Sequence, residues 1–182
     1  MADLTGRMIG AMQADVKTFE EIETDPNALT QAVLVIVIAG VSSLIGHLRL
    51  GIVPGVIGLI ASLGGYALFS FLVVLIGTKI MPEPTTKADF NEGFRTIGFA
   101  AAPGVFSILT IIPILGYLVS FAIMIWSLVV AVVAVRAVLD YSNTGRAIIV
   151  CVLAGVACMI VYFLVMLPIV AVLFMARAAT GG

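Results

Sequence analysis

The chain has 182 residues, of which 62% are hydrophobic and only 10% are charged, and its formal net charge is -1. Soluble domains carry roughly 25% charged residues, so this composition excludes an ordinary soluble protein and predicts an integral membrane protein. Nearly all of the length is taken up by apolar runs that reach the roughly 20 residues needed to cross a bilayer. No basic patch for nucleic acid is present.

The chain opens with an acidic amphipathic segment. Between residues 3 and 23, apolar side chains recur every three or four positions, which predicts a helix lying against the membrane surface or against the bundle. This segment lacks the short apolar core of a signal peptide, so no cleavage is expected. The alternative is that its acids form a docking surface for a basic partner. The acids concerned are Glu20, Glu21, Glu23 and Asp25.

Five membrane-spanning helices are predicted. Their approximate limits are residues 27–48, 56–76, 96–111, 117–139 and 147–175. The first should be capped by Asp25, with Pro26 at its first helical position. The helix that leads into the third span should be capped by Thr86. All-α architecture follows, with an arm over residues 1–28, a membrane domain over 29–175 and a short outer tail over 176–182.

Three prolines should shape the spans. Pro103 is predicted to kink span three, because proline removes a backbone hydrogen bond and crowds the preceding turn. Pro113 lies in a very short apolar turn, so spans three and four should form a tight antiparallel hairpin. Span five is overlong, which predicts either a tilt or a bend at Pro168.

The basic residues are distributed unevenly between the two ends of the spans. Seven of the nine lysines and arginines, and all ten acids, fall on the side that carries the N-terminal arm. The tendency of positive residues to remain inside therefore predicts a cytoplasmic N-terminus and an outer C-terminus. Partner contacts are expected on that inner side, through the arm and through Lys79, Lys87 and Arg95.

The span interiors hold no acidic or basic side chain, which argues against a pump or a coupled transporter. No constellation for hydrolysis, nucleotide binding or metal binding occurs, so we expect no enzyme, cofactor or metal. The single histidine, His47, lies at a span end and is interpreted as an interfacial residue rather than a ligand of haem or pigment. Trp126 lies within a span and should donate to an acceptor on a neighbouring helix.

Three stretches resemble the Yip-one domain family of membrane proteins, named for interaction with Rab-type GTPases. The acidic segment at residues 19–26 resembles the proline-ended segment before the first span of that family. Gly98 and Phe99, followed by three alanines and Pro103, resemble its pattern at the start of span three. Residues 134–139, with 144–146, resemble the connection between spans four and five in short prokaryotic members.

The resemblance implies five spans, a cytoplasmic N-terminus and a place in a prokaryotic cytoplasmic membrane. We therefore expect a non-enzymatic scaffold or adaptor that contacts lipids and either other membrane proteins or a cytoplasmic protein, as a homo- or hetero-oligomer. The alternatives are an accessory subunit of a larger membrane complex and a small passive channel or lipid-handling protein.

Overall fold

A computed structural model describes the backbone of residues 3–179, and the side chains in that range except those of residues 50, 166 and 168–179. The described chain is helical and contains no strand. Its α-helices are α1 (Leu4–Met12), α2 (Val16–Thr24), α3 (Ala28–Gly46), α4 (Ile52–Lys79), α5 (Phe90–Gly98), α6 (Leu115–Val138) and α7 (Thr144–Ala179). Two stretches have the tighter 3₁₀ geometry, Leu48–Leu50 and Phe99–Ile111.

The prediction of five membrane helices is confirmed. Five helical stretches are long and apolar enough to cross a bilayer. They are Ala28–Gly46, Ile52–Lys79, Phe90–Ile111, Leu115–Val138 and Thr144–Val165. The third of these joins α5 to the following 3₁₀ segment. The side chain of Pro168 lies outside the described residues, so the predicted bend there stays a prediction.

The N-terminal segment forms two helices where its periodicity predicted one. The chain reverses at Ala14, whose φ of 55° breaks the helix. Asp3 and Asp15 each cap the helix that follows by accepting a hydrogen bond from a backbone N–H. Both helices turn apolar residues toward the bundle, with Phe19 and Ile22 fully buried. A single stripe of apolar residues therefore serves two short helices.

The residues predicted to cap two helices are wrong, although the predicted start of the first span is within one residue of the observed one. Helix α3 begins at Ala28, and Asp25 caps the preceding turn by accepting from the backbone N–H of Asn27 at 2.9 Å. Helix α5 is capped by Asp89 instead of Thr86. The Asp89 carboxylate accepts from the Glu92 backbone N–H, and the Glu92 carboxylate accepts from the Asp89 backbone N–H. This reciprocal pair satisfies two amides at the start of α5, whereas the Thr86 hydroxyl accepts from the backbone N–H of Glu83.

Span three changes geometry close to its proline. The change from α to 3₁₀ geometry begins at Phe99, one turn before Pro103, where the sequence predicted the kink. Proline has no N–H, so it cannot donate to the carbonyl of Phe99 four residues earlier. Small residues let this segment approach α3 closely: a methyl group added at Gly98 would lie 2.9 Å from the Cβ of Ala32. The 3₁₀ segment packs more extensively on α3 than on any other helix.

The predicted tight hairpin between spans three and four is present. Only residues 112–114 separate the 3₁₀ segment from α6. Leu115 donates its backbone N–H to the Pro113 carbonyl at 2.7 Å, and Ile114 adopts a φ of 66°. A β-branched residue is strained in that conformation. Pro113 thus stands at a sharp reversal of the chain.

The buried core is concentrated in one half of the bundle. Buried side chains cluster at residues 93–103, 130–139 and 147–154, next to the N-terminal arm. At the other end, Ile114 and Tyr117 are 83% and 86% exposed. The helices are therefore closely packed at the end that carries the arm and less closely packed at the end that carries Pro113.

Candidate functional site

The charged segments of the chain meet at one end of the bundle. We call the charged end the surface formed by residues 3–25, 79–89 and 139–146. Residues 80–89 connect α4 to α5, and residues 139–146 connect α6 to α7. Hydrogen bonds join residues 80–89 to residues 139–146, and Arg95 of α5 donates to the backbone of the arm. Most of the residues expected to bind a partner are therefore held in one structure.

Arg7 fastens the arm to itself and to the first membrane helix. Its side chain is only 4% exposed. The guanidinium donates to Glu21 and Asp25, each at 2.8 Å, and to the side-chain oxygen of Gln31 at 2.9 Å. The hydrogen bond from Arg7 to Asp25, with another from the backbone N–H of Asn27, lowers the pKa of Asp25. Glu21 and Asp25, two of the predicted docking residues, are thus paired within the chain.

Arg95 is buried beneath the arm. Its Nε donates to the backbone carbonyl of Glu23 at 2.6 Å, and its Nη2 lies 3.7 Å from the Glu92 carboxylate. The side chain is only 10% exposed. The structure therefore places this predicted partner-binding residue at the junction between α2 and α5, where it holds the arm on the bundle.

Glu23 occupies the same junction and is half-buried. Burial raises the pKa of its carboxyl group from 4.5 to about 7, with further contributions from the negative charges of Asp140 and Glu92. The positive charge of Arg95 opposes this shift but does not cancel it. Glu23 is consequently a proton-binding group close to neutral pH.

The two connections at the charged end are bonded to each other. Glu83 accepts from the backbone N–H of Ser142 at 3.1 Å and from Arg146 at 3.0 Å, and these bonds lower the pKa of Glu83. The buried Tyr141 donates its hydroxyl to the carbonyl of Met81 at 2.7 Å. Thr86 donates to the carbonyl of Leu139 at 2.9 Å. These contacts tie residues 80–89 to residues 139–146.

Trp126 has the hydrogen-bond acceptor that the sequence predicted, but this acceptor lies on the N-terminal arm. Its indole N–H donates to the backbone carbonyl of Met12 at 2.7 Å, at the end of α1. Its ring stacks on Phe106, with centroids 5.6 Å apart. Trp126 lies near the middle of α6, so the arm reaches well along the membrane helices.

Four of the predicted partner-binding residues are exposed at the charged end: Glu20, Glu21, Lys79 and Lys87. Of these, Glu21 is paired with Arg7. Glu20 lines a groove of about 210 Å³ between α2 and the end of α6. The remaining lining residues are Val16, Val133, Arg136, Ala137, Asp140, Tyr141 and Ser142. The groove combines apolar side chains with two exposed carboxylates.

The end of the bundle that carries Pro113 has weaker candidates for a functional site. His47 is exposed, and its Nδ1 lies 2.9 Å from the carbonyl of Ser43 on its own helix. It borders two cavities of about 240 and 270 Å³. Within residues 3–179, no group of three His, Cys, Asp or Glu side chains lies close enough to hold a metal.

Sequence reasoning did not identify the internal contacts of the charged end. Arg7, Glu83 and Tyr141 lie in the predicted arm and connections, but the sequence did not single them out. Their partners are between 14 and 63 residues away along the chain, and no local pattern encodes such pairs. The one available signal was that these charged and aromatic residues all lie on the same side of the predicted membrane.

Comparison with known families gives one result. The model of the Yip1 domain matches residues 9–176, which include the second part of α1, the whole of α2 and all five membrane helices. Neither curated proteins nor solved structures yield a match to this chain. The protein is thus an integral membrane protein, and the extent of the match over its arm and its five apolar helices shows that the chain belongs to the Yip1 domain family.

Proposed function

We propose that this protein is a non-enzymatic scaffold or adaptor that presents its charged end to a partner protein at the cytoplasmic face of a prokaryotic inner membrane. In this proposal residues 1–28 form a cytoplasmic arm, residues 29–175 form the membrane domain, and residues 176–182 form an outer tail. The arm is held on the bundle as part of the presented surface.

The observation that carries the proposal is that side-chain hydrogen bonds hold the arm on the bundle and join the two connections of the charged end to each other. Arg7 and Arg95 fix the arm, while Glu83 and Tyr141 join the two connections. A surface whose elements are held in place loses less conformational entropy when a partner binds. Glu20, Lys79 and Lys87 remain exposed on it, which leaves charges of both signs available for recognition.

Site-specific photo-crosslinking tests the proposal. A photoreactive amino acid replaces Lys87 or Ser142, both exposed at the charged end, and Tyr117 is replaced as the matched control at the other end. We expect the same protein adduct from Lys87 and Ser142 and its absence from Tyr117. Adducts with lipid alone, or equal protein adducts from both ends, would contradict the proposal.

A second candidate is an accessory subunit of a larger membrane complex. It is supported by an apolar groove of about 680 Å³ between α4 and α7, bordered by Gly64, Gly65 and Tyr162. Small residues allow another helix to approach closely. Mass measurement of the gently purified assembly separates the two candidates, because an accessory subunit should co-purify in a fixed ratio with larger membrane proteins.

A passive channel along span three receives no comparable support. Ala101 is only 2% exposed, and a methyl group added at Gly104 would lie 2.8 Å from the Cβ of Ala39. Both positions are therefore filled by helix packing. A lipid-handling role would have to use another part of the molecule.

A further inference from the structure

The groove between α2 and the end of α6 contains two carboxylates that lack partners. Glu20 and Asp140 are both exposed, and neither side chain forms an ion pair or hydrogen bond with the described residues. Other acids at the charged end are used inside the protein: Glu21 and Asp25 bind Arg7, and Glu83 binds Arg146. The groove thus holds carboxylates that remain free for an external cation.

Among the described residues that line the groove, the one basic side chain is already engaged. Arg136 donates its Nε to the carbonyl of Tyr141 and its Nη1 to the hydroxyl of Thr144, both at 3.2 Å. Its charge offsets one carboxylate, but Glu23 and Glu92 lie behind the groove with only Arg95 beside them. Four carboxylates thus face two guanidinium groups, which leaves the region negative when all of them are ionised.

The floor of the groove is apolar. Val133 and Ala137 of α6 form it, and Val16 of α2 borders it with 41% of its surface exposed. Lysine and arginine side chains bury their aliphatic stems on apolar surfaces while the charged group stays in a polar setting. A volume of about 210 Å³ admits one such side chain and excludes a folded element.

We propose that this groove receives a lysine or arginine side chain from a basic segment of the partner protein, with its stem on Val133 and Ala137 and its charge between Glu20 and Asp140. The inference rests on the proposed function, since it specifies the chemistry of the partner that the charged end would bind.

Protonation of Glu23 should modulate this binding. The groups that face Glu23 are Glu20 of α2, Glu92 and Arg95 of α5, and Asp140 beyond α6, while Arg7 of α1 pairs with its neighbours Glu21 and Asp25. Since the pKa of Glu23 is about 7, the region gains negative charge between pH 6 and pH 8. A bound cation should therefore be held more tightly at pH 8.

The test uses the full chain in nanodiscs of phosphatidylcholine, a zwitterionic lipid that does not attract cations strongly. The probe is a tetralysine peptide with a neutral fluorophore, and binding is followed by fluorescence anisotropy at low salt. We expect the double variant Glu20→Gln/Asp140→Asn to weaken binding by about fivefold or more, as for the loss of two partly exposed charge pairs. Binding should also be several-fold weaker at pH 6 than at pH 8.

A charge variant and a second ligand serve as controls. Arg49→Gln removes an exposed charge at the end of the bundle that carries Pro113 and should leave binding unchanged. Emission from Trp126, the single tryptophan, shows whether each variant keeps its arm in place. Unchanged affinity in the double variant would overturn the inference. Displacement of the peptide by spermine as effectively as by unlabelled tetralysine would also overturn it, because the groove would then select small polycations.

The two proposals fail separately. A specific protein adduct at Lys87 and Ser142 without binding of tetralysine would support the scaffold function. It would contradict the proposal that the groove binds a lysine or arginine side chain. Binding of tetralysine that depends on Glu20 and Asp140, without any protein adduct, would confirm the chemistry of the groove and reject the scaffold function.

Discussion

Arg7 shows how one side chain couples the arm to the membrane helices. Its guanidinium is almost fully buried and bonds to Glu21, Asp25 and Gln31, which belong to α2, the following turn and α3. A buried guanidinium is retained only when its donors are satisfied. The arm is thus held by directional contacts in addition to its apolar face.

We predict that Arg7→Gln loosens the arm. The variant loses two ion pairs, but the Glu21 side chain is 54% exposed, so solvent screening limits the cost. Because charged hydrogen bonds are lost, the free energy of docking the arm on the bundle should become about 1–2 kcal/mol less favourable. Trypsin cleavage after the exposed Lys17 should become roughly tenfold faster, with altered Trp126 emission. Lys79→Gln is the matched control, and cleavage as slow in Arg7→Gln as in this control would refute the prediction.

Glu23 makes the stability of the same junction depend on pH. Its pKa is about 7 in the folded protein and 4.5 in the absence of burial. A raised pKa means that the folded state binds the proton more tightly than the unfolded state. The resulting stabilisation is complete below pH 4.5 and is lost as the pH rises through 7.

We therefore expect the arm to be packed more tightly at pH 5 than at pH 8. Acrylamide quenching of Trp126 should increase over this range, because the indole N–H is bonded to the carbonyl of Met12 at the end of α1. Glu23→Gln stays neutral, so quenching of this variant should be independent of pH and weaker than in the parent at pH 8. An identical pH profile in parent and variant would show that another group titrates.

At the scale of the elements, close helix contacts depend on glycines in specific places. A methyl group added at Gly46 would collide with the backbone carbonyl of Ser107, and backbone cannot move aside as a side chain can. Gly64, by contrast, has no atom within 4 Å of an added methyl group. Gly46 therefore permits close packing between two helices, whereas Gly64 makes no such contact.

We predict opposite effects of Gly46→Ala and Gly64→Ala on thermal stability in detergent. Gly46→Ala should lower the melting temperature, because α3 must separate from span three. Gly64→Ala should leave it unchanged or raise it, since alanine favours a helix by up to about 1 kcal/mol over glycine. Equal shifts in both variants would mean that helix propensity, and not close packing, controls the stability of α3.

The 3₁₀ geometry of span three gives a further prediction at this scale. The segment Phe99–Ile111 has 13 residues, and a 3₁₀ helix rises about 2.0 Å per residue against about 1.5 Å in an α-helix. Pro103→Ala restores an N–H that can donate to Phe99 and should extend the α-helix. Spin labels at the exposed Asn91 and Ile112 should then approach by up to about 6 Å. An unchanged distance would show that packing against α3 maintains the geometry without the proline.

The elements also show what the sequence could and could not predict. The five spans follow from apolar length alone, so each predicted span coincides over most of its length with one of the observed helical stretches. The break at Ala14 was missed because no glycine or proline marks it, and the apolar stripe continues across it. The cap at Asp89 competed with a similar signal at Thr86, and only the reciprocal bonding of Glu92 decides between them. Contacts such as Trp126 with Met12, separated by 114 residues, leave no local pattern.

For the whole molecule, the sidedness of charge predicts the orientation. Six of the nine lysines and arginines lie within the charged end or next to it, and Arg95 is buried just below it. Arg49 lies at the other end of the bundle. Lysine and arginine are retained on the cytoplasmic side of short loops. The charged end should therefore face the cytoplasm, where a soluble partner could reach the groove beside Glu20.

Cysteine labelling in intact cells checks this orientation. Cys151 and Cys158 are free thiols and are first replaced by serine, after which Ser142→Cys and Tyr117→Cys report on the two ends, because both positions are exposed. A membrane-impermeant maleimide should label Tyr117→Cys in intact cells and Ser142→Cys only after the membrane is permeabilised. The reverse pattern would place the charged end outside, and a cytoplasmic partner would then be impossible. Labelling of both positions in intact cells would mean that the chain inserts in two orientations, so that arginine and lysine placement alone does not fix its topology.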